Sequence, residues 1–169
     1  MRFLILFIFL TTNVFANDVS EIKNIVIHKD LKVYDNVIFL DKNDKKINIK
    51  EFNGSLLLLN FWATWCEPCK EEMPSLDELS QNKKFRNLEI LAVNMERVNV
   101  LKVKKFFNDL NIKNLPFFFD RDFSFVKEFK LRGVPTTILI NKNNEEFARI
   151  IGSFDFEDKQ FIKWLSKYD

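Results

Sequence analysis

Apolar and polar positions along the chain fall into blocks whose periods mark them as strands or helices. SLLLLNFW (55–62) and LEILAVN (88–94) are almost unbroken apolar runs of strand length, the pattern of strands buried on both faces of a parallel sheet. PFFF (116–119) predicts a third such strand. Between these runs the spacing turns helical. Met73, Leu76 and Leu79 recur at helical intervals, Glu71 and Glu72 suit the positive end of a helix, and the polar SQNKK closes the segment. Val100, Val103, Phe107 and Leu110 mark one face of a second helix with Asn111 as terminator, and SFVKEF (124–129) predicts a short third helix stopped at Gly133. PTTILI (135–140) and EFARII (146–151), joined by NKNNE, predict a β-hairpin, and VIFL (37–40) with INIKEF (47–52) predict another around the turn-rich DKNDKK. Asp155 and Asp158 open a last helix lined by Phe161, Trp164, Leu165 and Tyr168.

Strand, helix, strand, helix, strand, helix, then hairpin and helix: that order predicts an α/β sandwich, mostly parallel at its centre and closed by an antiparallel edge. The N-terminus differs in kind. MRFLILFIFLTTNVFA carries one basic residue, an apolar run from Phe3 to Leu10, and small residues Val14 and Ala16 at cleavage positions, which predicts a secretory signal over 1–16 and an exported protein. A bilayer-spanning helix needs roughly 20 apolar residues. Thr11, Thr12, Asn13 and Asn17 interrupt this run early, leaving an uncleaved membrane anchor as the alternative. Residues 17–36 are polar and mixed and read as a loosely held N-terminal arm, so that 37–169 forms one domain.

Composition adds limits. A chain of 169 residues that is 47% apolar and 15% aromatic can bury one sizeable core. A net charge of +2 gives no strong steering field. The Lys-rich DKNDKKINIK (41–50) is diluted by Asp41 and Asp44 and has no interleaved aromatics, so it reads as a solvated turn and no nucleic-acid partner is expected.

The chemistry sits in FWATWCEPCKEEMP (61–74), which holds both cysteines, Cys66 and Cys69. A structural disulfide stabilises by closing a long loop, and this pair closes almost none. Zinc needs four ligands and only His28 is available beyond the pair, an ordinary surface residue on this reading, so no metal site is expected. Two thiolates can hold copper(I), which keeps a copper-handling module as an alternative. Redox exchange fits better. The pair lies between a buried strand and a helix that starts at Pro68, where a missing N–H costs nothing. Cys66 then sits at the helix N-terminus, where unpaired N–H groups favour a thiolate, and is the nucleophile. Cys69, one turn on, is placed to resolve a mixed disulfide. Trp62 and Trp65 flank the site, as core aromatics at a strand end or as docking surfaces.

FWATWCEPCKEEMP together with LRGVPTTILI (131–140) resembles the thioredoxin superfamily, and within it the TlpA/ResA-like periplasmic thiol:disulfide oxidoreductases. The resemblance runs from about Val37 to the C-terminus. It implies a thioredoxin-like fold with a central mixed sheet flanked by helices, an N-terminal β-hairpin and an inserted helix–strand element near 98–119. It implies a cis bond between Val134 and Pro135 beside the cysteines, exposing the Val134 backbone to an extended stretch of substrate. Trp65, Glu67, Pro68, Val134, Pro135 and Thr136 are thus the expected substrate-contacting residues. Pro74, inside the helix, is expected to kink it. Asn60 stands where thioredoxin has a buried aspartate and is expected to hydrogen bond in the core, while Glu72 matches the proton-managing carboxylate near Cys69.

Glu67 between the cysteines disfavours a second negative charge on Cys66, which predicts a moderate thiolate and a reducing couple, with a disulfide-forming oxidant as alternative. The resemblance further implies a redox-active Cys66–Cys69 disulfide with no other cofactor. As partners it implies protein substrates with cysteine pairs, such as apocytochrome c or a copper-site assembly factor, and a membrane thiol reductant of the DsbD/CcdA type. The chain is expected to act as a monomer.

Overall fold

The computed structural model describes residues 22–169; the expected signal over 1–16 lies outside the described residues. One mixed sheet organises the chain. Its strands are β1 (Ile25–Val33), β2 (Ile38–Leu40), β3 (Lys46–Asn48), β4 (Leu56–Trp62), β5 (Leu88–Asn94), β6 (Phe117–Phe119), β7 (Thr136–Ile140) and β8 (Glu145–Ile151). In space they run β1-β8-β7-β4-β5-β6-β2-β3. β4, β5 and β6 are parallel; β7 joins β4 antiparallel, β8 joins β7, and the β2–β3 hairpin extends the far edge through a single pairing of Leu40 with Phe119. The helices are α1 (Glu67–Ser80), α2 (Val100–Asp109), α3 (Ser124–Glu128) and α4 (Lys159–Leu165). This is the α/β arrangement, parallel at its centre, that the alternating pattern predicts, and it has the thioredoxin-like form that the resemblance implies.

The period-2 geometry of a strand explains why β4 is apolar without interruption. Leu56, Leu58 and Trp62 face a core built with Met73, Leu76 and Leu79 of α1 and Phe161, Trp164 and Leu165 of α4. Leu57, Leu59 and Phe61 face a second core with Tyr34, Phe39, Phe125 and Phe129. All seven β4 residues are buried, each leucine being worth about 2 kcal/mol of apolar transfer. Most of the phenylalanines serve this packing: Phe125 and Phe129 meet edge-on at 5.6 Å, and Phe154 and Phe161 at 4.8 Å.

The structure corrects four local readings. The expected arm contains β1, which pairs antiparallel with β8; its side chains are largely exposed, so no buried face wrote a periodicity into it. INIKEF is a strand only to Asn48, after which Asn48 and Glu51 form a capping box that winds Ile49–Phe52 into a 3-10 turn. α3 ends well before Gly133, with Lys130 taking the left-handed conformation at φ 50°. α4 starts at Lys159, capped by Asp158, whose carboxylate accepts the Phe161 N–H at 2.8 Å; Asp155 instead closes a turn with Glu157. Among the described residues, no helix is long and apolar enough to cross a membrane.

Candidate active site

β4 ends at Trp62 and the chain crosses to α1 through Ala63, Thr64 and Trp65, so the strand delivers the cysteines to the C-terminal end of the parallel strands. Cys66 is the N-cap of α1, with Pro68 in its first turn, and its sulfur accepts the Cys69 N–H at 3.3 Å. The two cysteines form a disulfide with Cα atoms 5.3 Å apart. Cys69 is fully buried, whereas Cys66 keeps 3% of its surface, so the attacker expected from sequence is far less open than a surface thiol and is still the one cysteine of the pair that solvent reaches. Around it Trp65 is 70% exposed, Glu67 and Pro68 are exposed, and Trp62 is sealed in the core, its ring 4.7 Å from that of Phe106. Of the two tryptophans, Trp65 alone can therefore touch a partner.

Glu72 lies one turn beyond Cys69 on α1, on the same face. It is buried, with one carboxylate oxygen accepting from Asn60 Nδ2 at 2.7 Å and the other from the Phe154 N–H at 3.1 Å. Burial pushes its pKa up to about 8, more than these two donors pull it down. Asn60, opposite Thr137 in the β4–β7 ladder, also donates to Thr137 Oγ1 at 2.9 Å. That amide group thus bridges helix and sheet from an otherwise apolar row, as expected of it. Pro74 lies inside α1 and supplies no N–H to the carbonyl of Lys70.

On the other side of the site the Val134–Pro135 bond is cis, with Pro135 buried and Val134 half-buried against the cluster that contains both cysteines. The Thr136 hydroxyl donates to the Gly133 carbonyl at 2.8 Å, closing the loop on itself. The structure thereby gathers Cys66, Cys69, Glu72 and Asn60 around one end of β4, with the Val134–Thr136 segment alongside.

Two features differ from the expectation. The exposed Glu67 is 2.7 Å from Nζ of the half-buried Lys70, so its charge is partly offset and acts on Cys66 less than a free carboxylate would. His28 is half-buried with Nε2 2.8 Å from Glu146 Oε1, inside a cluster with Tyr34 and Arg149. The sequence also gave no sign of Glu96. Its carboxylate accepts the Thr64 N–H at 2.5 Å, the Thr64 hydroxyl at 3.1 Å and Lys102 Nζ at 3.0 Å, pinning the turn that leads into Cys66. Burial raises the Glu96 pKa, but these bonds and one from Asn94 outweigh it and hold the group below the usual carboxylate range. No spacing rule links a loop glutamate to a turn 32 residues earlier. Among the described residues, no three His, Cys, Asp or Glu side chains gather into a metal-holding group.

A disulfide-bonded cysteine pair at a helix N-terminus, one sulfur reachable and the other sealed, beside a buried carboxyl and a cis-proline loop on this sheet, defines a thioredoxin-like thiol:disulfide oxidoreductase. The chain belongs to the Redoxin family, whose model matches residues 21–160. It is 34% identical over 132 residues to the thiol-disulfide oxidoreductase ResA of Bacillus thuringiensis subsp. konkukian, covering 78% of this chain and 74% of that one. To ResA of Bacillus subtilis it is 32% identical over 118 residues, 70% of this chain and 65% of that protein. Among solved structures it resembles StoA from Bacillus subtilis, with a TM-score of 0.63 and 25% identity over 76% of this chain and 94% of that one. The fold of a DsbE-type thiol:disulfide interchange protein from Chlorobium tepidum is also similar, with a TM-score of 0.69 at 24% identity, covering 83% and 99% of the two chains.

Proposed function

We propose that this oxidoreductase works outside the cytoplasm, in the periplasm, as a reductase of cysteine pairs in exported proteins, with apocytochrome c or a copper-site assembly factor as client. The observation that carries the reducing direction is the setting of the Cys66 sulfur. Among the described residues it accepts one hydrogen bond, from the neutral N–H of Cys69, and the nearby Lys70 is engaged by Glu67. A strong oxidant over-stabilises its thiolate, and this sulfur has only the helix N-terminus and that one donor to do so.

In the reaction, the Cys66 thiolate attacks one sulfur of the client disulfide and releases the other as a thiolate, which takes a proton from solvent. Glu72 accepts the proton of Cys69, whose thiolate then attacks the Cys66 sulfur and expels the second client thiolate, which takes up a proton from Glu72 or solvent. Two electrons leave the Cys66/Cys69 dithiol, which ends as a disulfide, and the client ends as two thiols. Glu72 suits this role because a carboxyl with a pKa of about 8 matches a thiol closely enough to exchange a proton with it near neutral pH. Trp65, Glu67 and Pro68 on one side and Val134, Pro135 and Thr136 on the other flank the groove where the client strand would lie. A membrane thiol carrier of the DsbD/CcdA type would return the electrons, and the N-terminal segment would direct export. The chain would act as a monomer.

Equilibrating the protein with defined thiol/disulfide buffers tests the direction. A midpoint potential more reducing than about −200 mV is expected, and one near −120 mV would reverse it.

A further inference from the structure

A cleft on the side of the sheet away from α1 runs from Thr136 and Ile151, at the end that holds the cysteines, to Lys32 and Glu146 at the opposite end, and the sulfur chemistry makes no use of it. Its volume is about 510 Å³. Thr136, the residue after the cis-proline, lines it and pairs with Phe61 on β4, so one end of the cleft adjoins the Val134–Pro135 segment. The remaining wall carries Lys32, Lys130, Arg132 and Arg149 against Asp30 and Glu146, with His28 bonded to Glu146.

These charges are not equally free. Arg149 is spent on Glu146, 2.6 Å away, with side chains 17% and 2% exposed. Lys32 lies 4.2 Å above the Tyr34 ring and 3.4 Å from Glu128, an exposed pair that leaves most of its field in place. Lys130 and Arg132 are exposed and have no ion pair among the described residues. With Glu146 already neutralised, Asp30 in the cleft and Glu128 at its edge oppose Lys32, Lys130 and Arg132, and the cleft presents a net positive charge.

Its position matters as much as its sign. Arg132 stands two residues before Val134, so their Cα atoms are within about 7.6 Å. A client strand laid along Val134 advances about 3.3 Å per residue, which brings residues two to four places from the attacked cysteine over Arg132 and Lys130. We propose that Lys130 and Arg132, with Lys32 behind them, form a docking cleft for an acidic segment of the client protein close in sequence to its cysteine pair. This rests on the reading of the chain as a protein-disulfide reductase and adds to it the class of client.

The test uses the full chain, reduced beforehand, and two synthetic peptides with the same cystine core, one flanked by Asp and Glu, the other by Lys. Neutral hydroxyethyl disulfide is the reference. At low ionic strength the acidic peptide should react about tenfold faster than the basic one. K130E/R132E should abolish or invert that ratio, from which any change common to the sulfur chemistry cancels. Raising salt on the unaltered protein should shrink the ratio towards one. Equal rates for the two peptides, or a preference indifferent to salt, overturn the acidic-client proposal and leave the reductase reading intact. No exchange with any of the three disulfides overturns both.

Discussion

Residue by residue, the site turns on one carboxyl and two sulfurs that differ in exposure. Glu72 should reveal itself in the pH dependence of stability. Its pKa is about 8 in the fold against an ordinary 4.5, so between those values the folded chain keeps a proton that the unfolded chain has released. Stability from this source is complete below the lower value and declines as pH rises through the upper one, by about 1 kcal/mol per pH unit. Asp120, raised by burial to about 6, adds to the slope lower down, so the interval from pH 6.5 to 8 isolates Glu72. Urea unfolding of the oxidised protein should show the decline there, and Glu72→Gln should flatten it; an equally steep fall in the variant would assign the proton to another group. Glu72→Gln should also slow release of the mixed disulfide by about a hundredfold in stopped-flow exchange. Cys69→Ala should leave client proteins covalently held on Cys66, visible as adducts on non-reducing gels that vanish with dithiothreitol. Recovery of none from cells would count against exchange through Cys66.

At the scale of the element, α1 is held at three points: its cap by the pinned Thr64 turn, its middle by Glu72, and its later turns by Asp77. Asp77 is buried and accepts the N–H groups of Lys113, Asn114 and Leu115 at 3.1, 2.8 and 2.8 Å, tying the helix to the segment that leads into β6. Asp77→Ala leaves three such donors without their acceptor and should cost about 3 kcal/mol, read as a lower urea midpoint with unchanged slope. An unchanged midpoint would mean that water satisfies those donors. The contrast between Asp77 and Cys66 shows what the sequence could carry. WCEPC, the helix after it and the Val-Pro-Thr-Thr segment are local patterns and were legible, whereas the places of Asn60 and Glu72 came from the family resemblance those patterns carry. Asp77 and Glu96 act on backbone N–H groups more than thirty residues away, and a bond to a backbone atom leaves no trace in the identity of the partner residue.

The whole molecule repeats that lesson. The central strands announce themselves because both of their faces are buried, while β1 stands at an edge with side chains in solvent and reads as a loosely held arm. The same difference should appear in dynamics. Amides of β4 and β5 are bonded on both sides within two cores, whereas among the described residues β1 pairs only with β8 and its register shifts between Ile27 and Lys32. Native-state hydrogen exchange should therefore be at least about a hundredfold slower in β4 than in β1, since edge amides open locally and central ones only with the whole fold. Comparable protection would mean that the first strand is anchored by more than its ladder.

The Glu72 carboxyl joins the helix that carries both sulfurs to Asn60 in the sheet and to the backbone of Phe154 near the C-terminus. Its charge therefore belongs to three segments at once, and by reciprocity a force that loosens any of them moves the proton. On the proposed mechanism, a client that pressed on the turn around Phe154 would shift the Glu72 proton, and with it the exchange at Cys66, without touching either sulfur.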